Sequence, residues 1–204
     1  TVSSHIVDVK MEAEGSYWMH QRSYNDALGA KQKVCTHTML QRDVASARES
    51  NQKDLEEPAG SACSYIFFQT YKVQGCEWFF STHDARYRVT FKKDDAAGAG
   101  LSMDMEPIDK TGLLTASSYQ FQFWNKTEEC FLLTKSSGNE KQCEVHVWNG
   151  TATERAQLPS CKAAYKEQCP TTKSTHHTFT SNCRVTSTNF DIFSIKESDV
   201  STCL

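Results

Sequence analysis

Cys130-Phe-Leu-Leu-Thr-Lys-Ser-Ser-Gly-Asn-Glu-Lys-Gln-Cys-Glu-Val-His-Val-Trp148 has the form of a β-hairpin. Phe131 to Thr134 is a short apolar run, and Glu144 to Trp148 alternates with a period of two. The polar segment between them holds Gly138 and Asn139, both of which tolerate positive φ. In the second strand Glu144, His146 and Trp148 share one face, while Cys143, Val145 and Val147 share the other. A face that carries Glu, His and Trp together suits the wall of a cavity better than a plain core strand. Cysteines at the start of both strands, and a third at Cys161, predict a stapled barrel.

The same period recurs on both sides of the hairpin. Ser118 to Trp124 alternates immediately before it. Ser64 to Tyr71, Glu77 to Phe80 and Arg86 to Phe91 read as further strands. In the last of these either Tyr87, Val89 and Phe91 or Arg86 and Arg88 face inward, and the first set is the apolar choice. Nearer the start, Ser16 to Tyr24 and Val34 to Leu40 are strands around a turn at Asn25 to Gly29. Short strands at regular spacing, with turn residues between them, predict an all-β barrel or sandwich. One helix is expected, Leu158 to Gln168, with Pro159 in its first turn, Ser160 as cap and Pro170 as stop. No repeat or linker divides residues 1–204, so a single domain is expected, with a polar lead-in over 1–15 and a tail over 184–204.

Composition narrows the function. A chain of 204 residues is long enough to close a core, and its net charge of -3 gives no electrostatic case for nucleic acid. No apolar run approaches the roughly 20 residues that a membrane helix needs, so no membrane insertion is expected. Nine cysteines and two sequons, at Asn125 and Asn149, without zinc-ligand spacing, point to a secreted, extracellular glycoprotein. The start at Thr1 rather than Met fits removal of a signal peptide. None of the common nucleophile, metal-protease or phosphate-loop motifs occurs, so neither an enzyme nor a cofactor is expected. His176 and His177 are adjacent and point apart on a strand, which predicts no metal site.

Four stretches, in order, carry a resemblance. They are Ser16-Tyr17-Trp18-Met19 through Tyr24-Asn25-Asp26 to Cys35, and Glu129-Cys130 with the Gly-Asn turn and a strand ending in Trp148. Leu158-Pro159-Ser160-Cys161 with Tyr165, and Phe179-Thr180-Ser181-Asn182-Cys183, complete the set. Together they resemble the tick salivary lipocalins, the histamine-binding family, over residues 13–185. The resemblance implies an eight-stranded antiparallel lipocalin-like barrel with a C-terminal helix on its side and a ligand inside. It also implies the disulfides Cys35–Cys183 and Cys130–Cys161. Cys63, Cys76, Cys143, Cys169 and Cys203 fall outside that pattern, and their pairing stays open.

Tyr24, Asp26 and Asp84 resemble positions with which the family's amine binders hold a cation. Two further acid positions are occupied by Phe131 and by His146. With the acids thinned, the aromatic residues Phe67, Trp78, Phe121, Phe123 and Trp148 suit a hydrophobic or lipid-like ligand, a fatty acid, eicosanoid or sterol, with His146 as polar handle. By the same resemblance Trp148 faces inward. The implied function is sequestration of a small host molecule to suppress host inflammatory or immune responses. The alternatives are a biogenic amine binder, for histamine or serotonin, or an inhibitor of a host immune protein. The latter would use exterior loops such as the charged segment Gln41 to Gly60.

Overall fold

Alternating strands of this length bury one face by curling the sheet onto itself. The computed structural model describes residues 15–28, 31–42, 64–74, 80–93, 100–109, 114–169 and 174–184. Its strands are β1 (Ser16–Arg22), β2 (Ala27–Leu28), β3 (Lys31–Arg42), β4 (Ser64–Gln74) and β5 (Phe80–Lys93). They continue as β6 (Leu101–Pro107), β7 (Ser117–Asn125), β8 (Cys130–Ser137), β9 (Glu140–Trp148) and β10 (His176–His177). Among the described residues all strand pairings are antiparallel and mostly sequential, and β1 closes the ring by pairing with both β9 and β3. The closing register runs Ser16↔Met39, Tyr17↔Thr38 and Trp18↔His37. The result is an eight-stranded closed antiparallel barrel, to which β2 and β10 add two residues each. The opening hairpin forms as read, with Ser137↔Glu140 flanking the turn and Gly138 at φ 59°.

Two strands differ from the reading. β5 begins at Phe80 rather than at Arg86, because its pairing with β4 runs unbroken from Ser64↔Thr90 to Gln74↔Phe80. β6 was not anticipated, although Leu101, Met103 and Met105 alternate inward with Ser102 and Asp104 between them. Glu77, Trp78 and Phe79, the lead-in before 15, most of the charged segment after 42, and the tail after 184 lie outside the described residues.

The sheet carries a core on each side. Inside, Tyr17, Phe67, Phe91, Phe121, Phe131 and Trp148 belong to one cluster. Outside, Val145 and Val147 are fully buried in a second cluster with Leu158, Ala164 and Tyr165, beneath α1 (Pro159–Gln168). Both faces of β9 are therefore buried. Ser160 does not cap α1 as expected, since Leu158 stands at the N-cap and offers no side-chain bond. The Glu128 carboxylate, from the turn between β7 and β8, accepts hydrogen bonds from the backbone amides of Ser160 at 3.0 Å and Cys161 at 3.3 Å instead. A negative charge there suits the exposed amides of a helix start.

Three disulfides join described residues. Cys35–Cys183 ties β3 to the short 3-10 helix Ser181–Arg184, and Cys130–Cys161 ties β8 to α1. Cys143–Cys169 ties β9 to the end of α1 and pairs two cysteines that the sequence left unassigned. Cys63, Cys76 and Cys203 lie outside the described residues. Among the described residues no helix is long and apolar enough to cross a membrane.

Candidate ligand site inside the barrel

The interior has three levels. The first is an aromatic floor at the end of the barrel where β9 finishes. Trp124 stacks on Phe131 and Phe131 on His146, with centroids 5.7 and 5.0 Å apart. Tyr17 meets Phe131, His146 and Trp148 edge-on at 5.1, 5.1 and 5.7 Å. Such pairs add attraction beyond their area burial. The indole nitrogens of Trp124 and Trp148 and Nδ1 of His146 are buried without a hydrogen-bond partner among the described residues.

Above the floor lies a polar layer centred on Glu144, whose side chain is 2% exposed. Its Oε1 accepts hydrogen bonds from the hydroxyls of Tyr24 and of Tyr119, the latter at 3.1 Å, and meets Lys135 Nζ at 3.2 Å. Its Oε2 meets His146 Nε2 at 3.0 Å. Lys135 Nζ also donates to the hydroxyl oxygens of Tyr24 at 2.9 Å and Tyr119 at 3.0 Å. Burial works against the Glu144 carboxylate, but Lys135, His146 and Tyr24 outweigh it and hold its pKa well below the usual range. Burial likewise opposes the Lys135 ammonium, and Glu144 with Tyr24 overrides it, so its pKa is raised. Tyr24 and Tyr119 are pushed up by burial and by Glu144, and remain neutral hydroxyls. A buried charge is tolerated when it is paired and its remaining valences are hydrogen-bonded.

Tyr24 reaches this layer from the loop after β1 because Arg22 fixes that loop. The fully buried Arg22 donates to the carbonyl oxygens of Tyr24 at 3.0 Å, Asp26 at 3.0 Å and Lys33 at 2.8 Å.

The third level is a cavity of about 120 Å³ that opens over the polar layer. Met19, Met105 and Leu114 form apolar parts of its wall, and Tyr71 and Tyr87 add rings with hydroxyls. Burial, with Tyr71 and Asp26 adding to it, pushes Tyr87 up to about 12, so its hydroxyl stays protonated. Asp26 and Lys33 pair at 3.3 Å near the mouth, with Lys33 Nζ 4.9 Å from the centre of the Tyr71 ring. Thr115, Ser117 and Lys135 also line an open trough of about 680 Å³, which continues between β7 and the β8–β9 turn. The trough lies on the outer face of β7 and β8, where Gln120, Gln122, Thr134 and Ser136 alternate with the inward Tyr119, Phe121, Leu133 and Lys135.

The barrel has a counterpart of known structure. Japanin from Rhipicephalus appendiculatus, in an orthorhombic crystal form bound to cholesterol, matches with a TM-score of 0.51 at 9% sequence identity. The match covers 81% of this chain and 93% of that one, and at this identity it is a likeness of fold, lipocalin-like. No family model matches the chain, and no curated protein matches it in sequence.

The residues singled out from the sequence divide among these levels. Tyr24 and Asp26 line the cavity. His146 and Trp148 face inward but lie in the polar layer and floor rather than on the cavity wall, as do Phe67 and Phe121 in the interior cluster. Phe123 and Asp84 do not reach the interior. A bulge between Phe121 and Phe123 shifts the alternation by one residue, which turns Phe123 outward against the cluster under α1 and Trp124 inward. Asp84 is exposed on the outer face with Arg86 and Arg88, since Ala85, Tyr87 and Val89 point in. Trp78 lies outside the described residues.

Glu144, Lys135 and Tyr119 were not selected from the sequence, although the alternation of β9 already put Glu144 beside His146. Both sequon asparagines sit at the floor end. Asn125 Oδ1 accepts from the amides of Thr127 and Glu128 at 2.9 Å each, and the exposed Asn149 accepts from Trp18 Nε1 at 2.7 Å. Glu128, Cys130 and Cys161 form a group of metal-ligand types, but the two sulfurs are joined and the carboxylate caps α1.

Proposed function

We propose that this protein is a secreted, non-catalytic carrier that sequesters a small, hydrophobic or lipid-like host molecule in its barrel and thereby dampens host inflammatory or immune responses. The observation that carries this reading is the charge balance of the interior. Glu144 is matched by Lys135 and Asp26 by Lys33, while neutral hydroxyls remain around the cavity. A neutral ligand with an apolar body and a hydroxyl-type polar end needs no further counter-charge there. A cation entering the same space would meet two lysines whose acids are already engaged, and an unpaired buried charge costs several kcal/mol.

Size bears on the pose. Sites for drug-sized ligands run to roughly 300–1,000 Å³, more than the cavity of about 120 Å³ supplies. The ligand therefore places one end against Met19, Met105 and Tyr87 and leaves its other end at the mouth beside Thr115 and Ser117. The cholesterol in the japanin crystal supports a lipophilic ligand within this fold. The paired cysteines support passage through an oxidising compartment. Glycans on Asn125 and Asn149 would stand at the floor end, clear of the mouth.

Native mass spectrometry of the protein secreted from eukaryotic cells tests the reading. One equivalent of a neutral lipophilic molecule is expected. A protein that emerges empty, binds no sterol or fatty acid on titration, yet takes histamine at submicromolar affinity would replace this reading with the amine one.

A further inference from the structure

The surroundings of Lys135 Nζ have the form of a receptor for a primary ammonium. A carboxylate oxygen, Glu144 Oε1, stands 3.2 Å away, and two hydroxyl oxygens, of Tyr24 and Tyr119, stand 2.9 and 3.0 Å away. Those three acceptors use all three N–H bonds of an ammonium group. The same two tyrosines present their rings, with Nζ 4.6 Å from the centroid of Tyr24 and 5.0 Å from that of Tyr119, within the range of cation–π attraction. Both hydroxyls donate to Glu144 while accepting from Lys135, so the cage is closed by its own hydrogen bonds. The occupant comes from the chain itself. Lys135 stands directly opposite Tyr119 in the β7–β8 register, and its side chain lines the cavity.

We propose that Lys135 is a tethered cation that fills an ammonium site in the barrel and fixes the ligand's charge class by keeping other cations out. This rests on the interior being the ligand site and names the residue that sets its selectivity. The cage is complete while the lysine is in place, so an amine from solution gains no contact without first displacing a group held at high effective concentration. An incoming neutral molecule meets no such competitor, because it lies over the cage and not in it. Without the lysine stem, the cage is an anionic, tyrosine-walled socket that takes a linear primary alkylammonium. A quaternary ammonium, which has no N–H to give, does not replace it.

The test is chemical rescue of Lys135→Ala with n-propylammonium, which restores the missing carbons and the ammonium. Calorimetry and thermal unfolding are expected to show n-propylammonium binding the variant at least tenfold more tightly than the parent, and raising its melting temperature. n-Propanol and tetramethylammonium should have little effect. Equal behaviour of parent and variant, or equal rescue by propanol or tetramethylammonium, would overturn the proposal. If Lys135→Ala does not fold unaided, recovery on refolding in millimolar n-propylammonium but not in propanol is the expected result, and failure in both overturns it. Adding Glu144→Gln to Lys135→Ala should abolish the amine response, and retention of that response also overturns it. The probe is the amine alone, so a negative result leaves lipid carriage standing, and rescue can succeed in a protein that carries no lipid.

Discussion

Glu144 shows how a single side chain is made tolerable inside a barrel. The carboxylate is buried, yet it receives two tyrosine hydroxyls, a lysine and a histidine. Removing one partner of such a buried pair leaves the other uncompensated, typically at about 3–5 kcal/mol. Lys135→Met should therefore lose stability on that scale in urea unfolding, and adding Glu144→Gln should recover more than half of the loss. The carboxyl's depressed pKa also sets a sign. The stability it contributes is present above the ordinary glutamate value of about 4.3 and is lost as pH falls from there through the folded value. Between about pH 4 and pH 2 the parent should lose stability more steeply than Glu144→Gln, measured by chemical denaturation across that window.

The alternation of β9 was enough to group Glu144 with His146 and Trp148 on one face. It could not show that Lys135 and Tyr119 would stand opposite each other, because that comes from the β7–β8 register. Nor could it show that the loop held by Arg22 would deliver Tyr24.

At the scale of elements, α1 decides the orientation of β9. Valines on a strand ordinarily point to the interior, but here α1 supplies a second apolar surface and Trp148 takes the inside. The helix is held by Cys130–Cys161 and Cys143–Cys169, whose chain separations are 31 and 26 residues. Closing loops of that length removes about 3–4 kcal/mol of unfolded-state entropy each in the chain-entropy model. Replacing Cys143 and Cys169 by alanine should lower stability by up to that amount, with faster amide exchange in α1 than in β3 to β5. Glu128→Ala should cost about 1 kcal/mol by leaving the first amides of α1 uncapped.

Local rules read the helix and its proline start correctly, while Ser160 was the wrong cap because the satisfying carboxylate is 32 residues away. The bulge that separates Phe121 from Phe123 leaves no mark in an alternating aromatic run, so Phe123 read as an inward residue. β6 is written in the alternation of Leu101, Met103 and Met105, but three apolar residues beside a Gly-rich segment make a weak strand signal.

For the whole molecule, eight strands close around an interior that is aromatic at one end and hydroxylated at the other. Filling the cavity should block a ligand without unmaking the barrel. Met105→Trp adds bulk on the cavity wall and should weaken lipid binding tenfold or more, equivalent to about 1.4 kcal/mol, while thermal unfolding stays cooperative. Strand spacing made an all-β barrel or sandwich readable, and cysteine content its stapling, because both are repeated along the chain, while the pairs Cys35–Cys183 and Cys130–Cys161 followed from the family resemblance. The cavity's chemistry was not readable, since it depends on which side chains of five or more strands meet at one depth.

The most direct measurement is a crystal structure of the protein with the molecule it retains from its secreting host cell. A neutral ligand with its apolar body beside Met105 and Tyr87, and with Lys135 still seated on Glu144, is the predicted result. Density for a ligand outside the barrel, or for a cation in the place of the Lys135 ammonium, would contradict it.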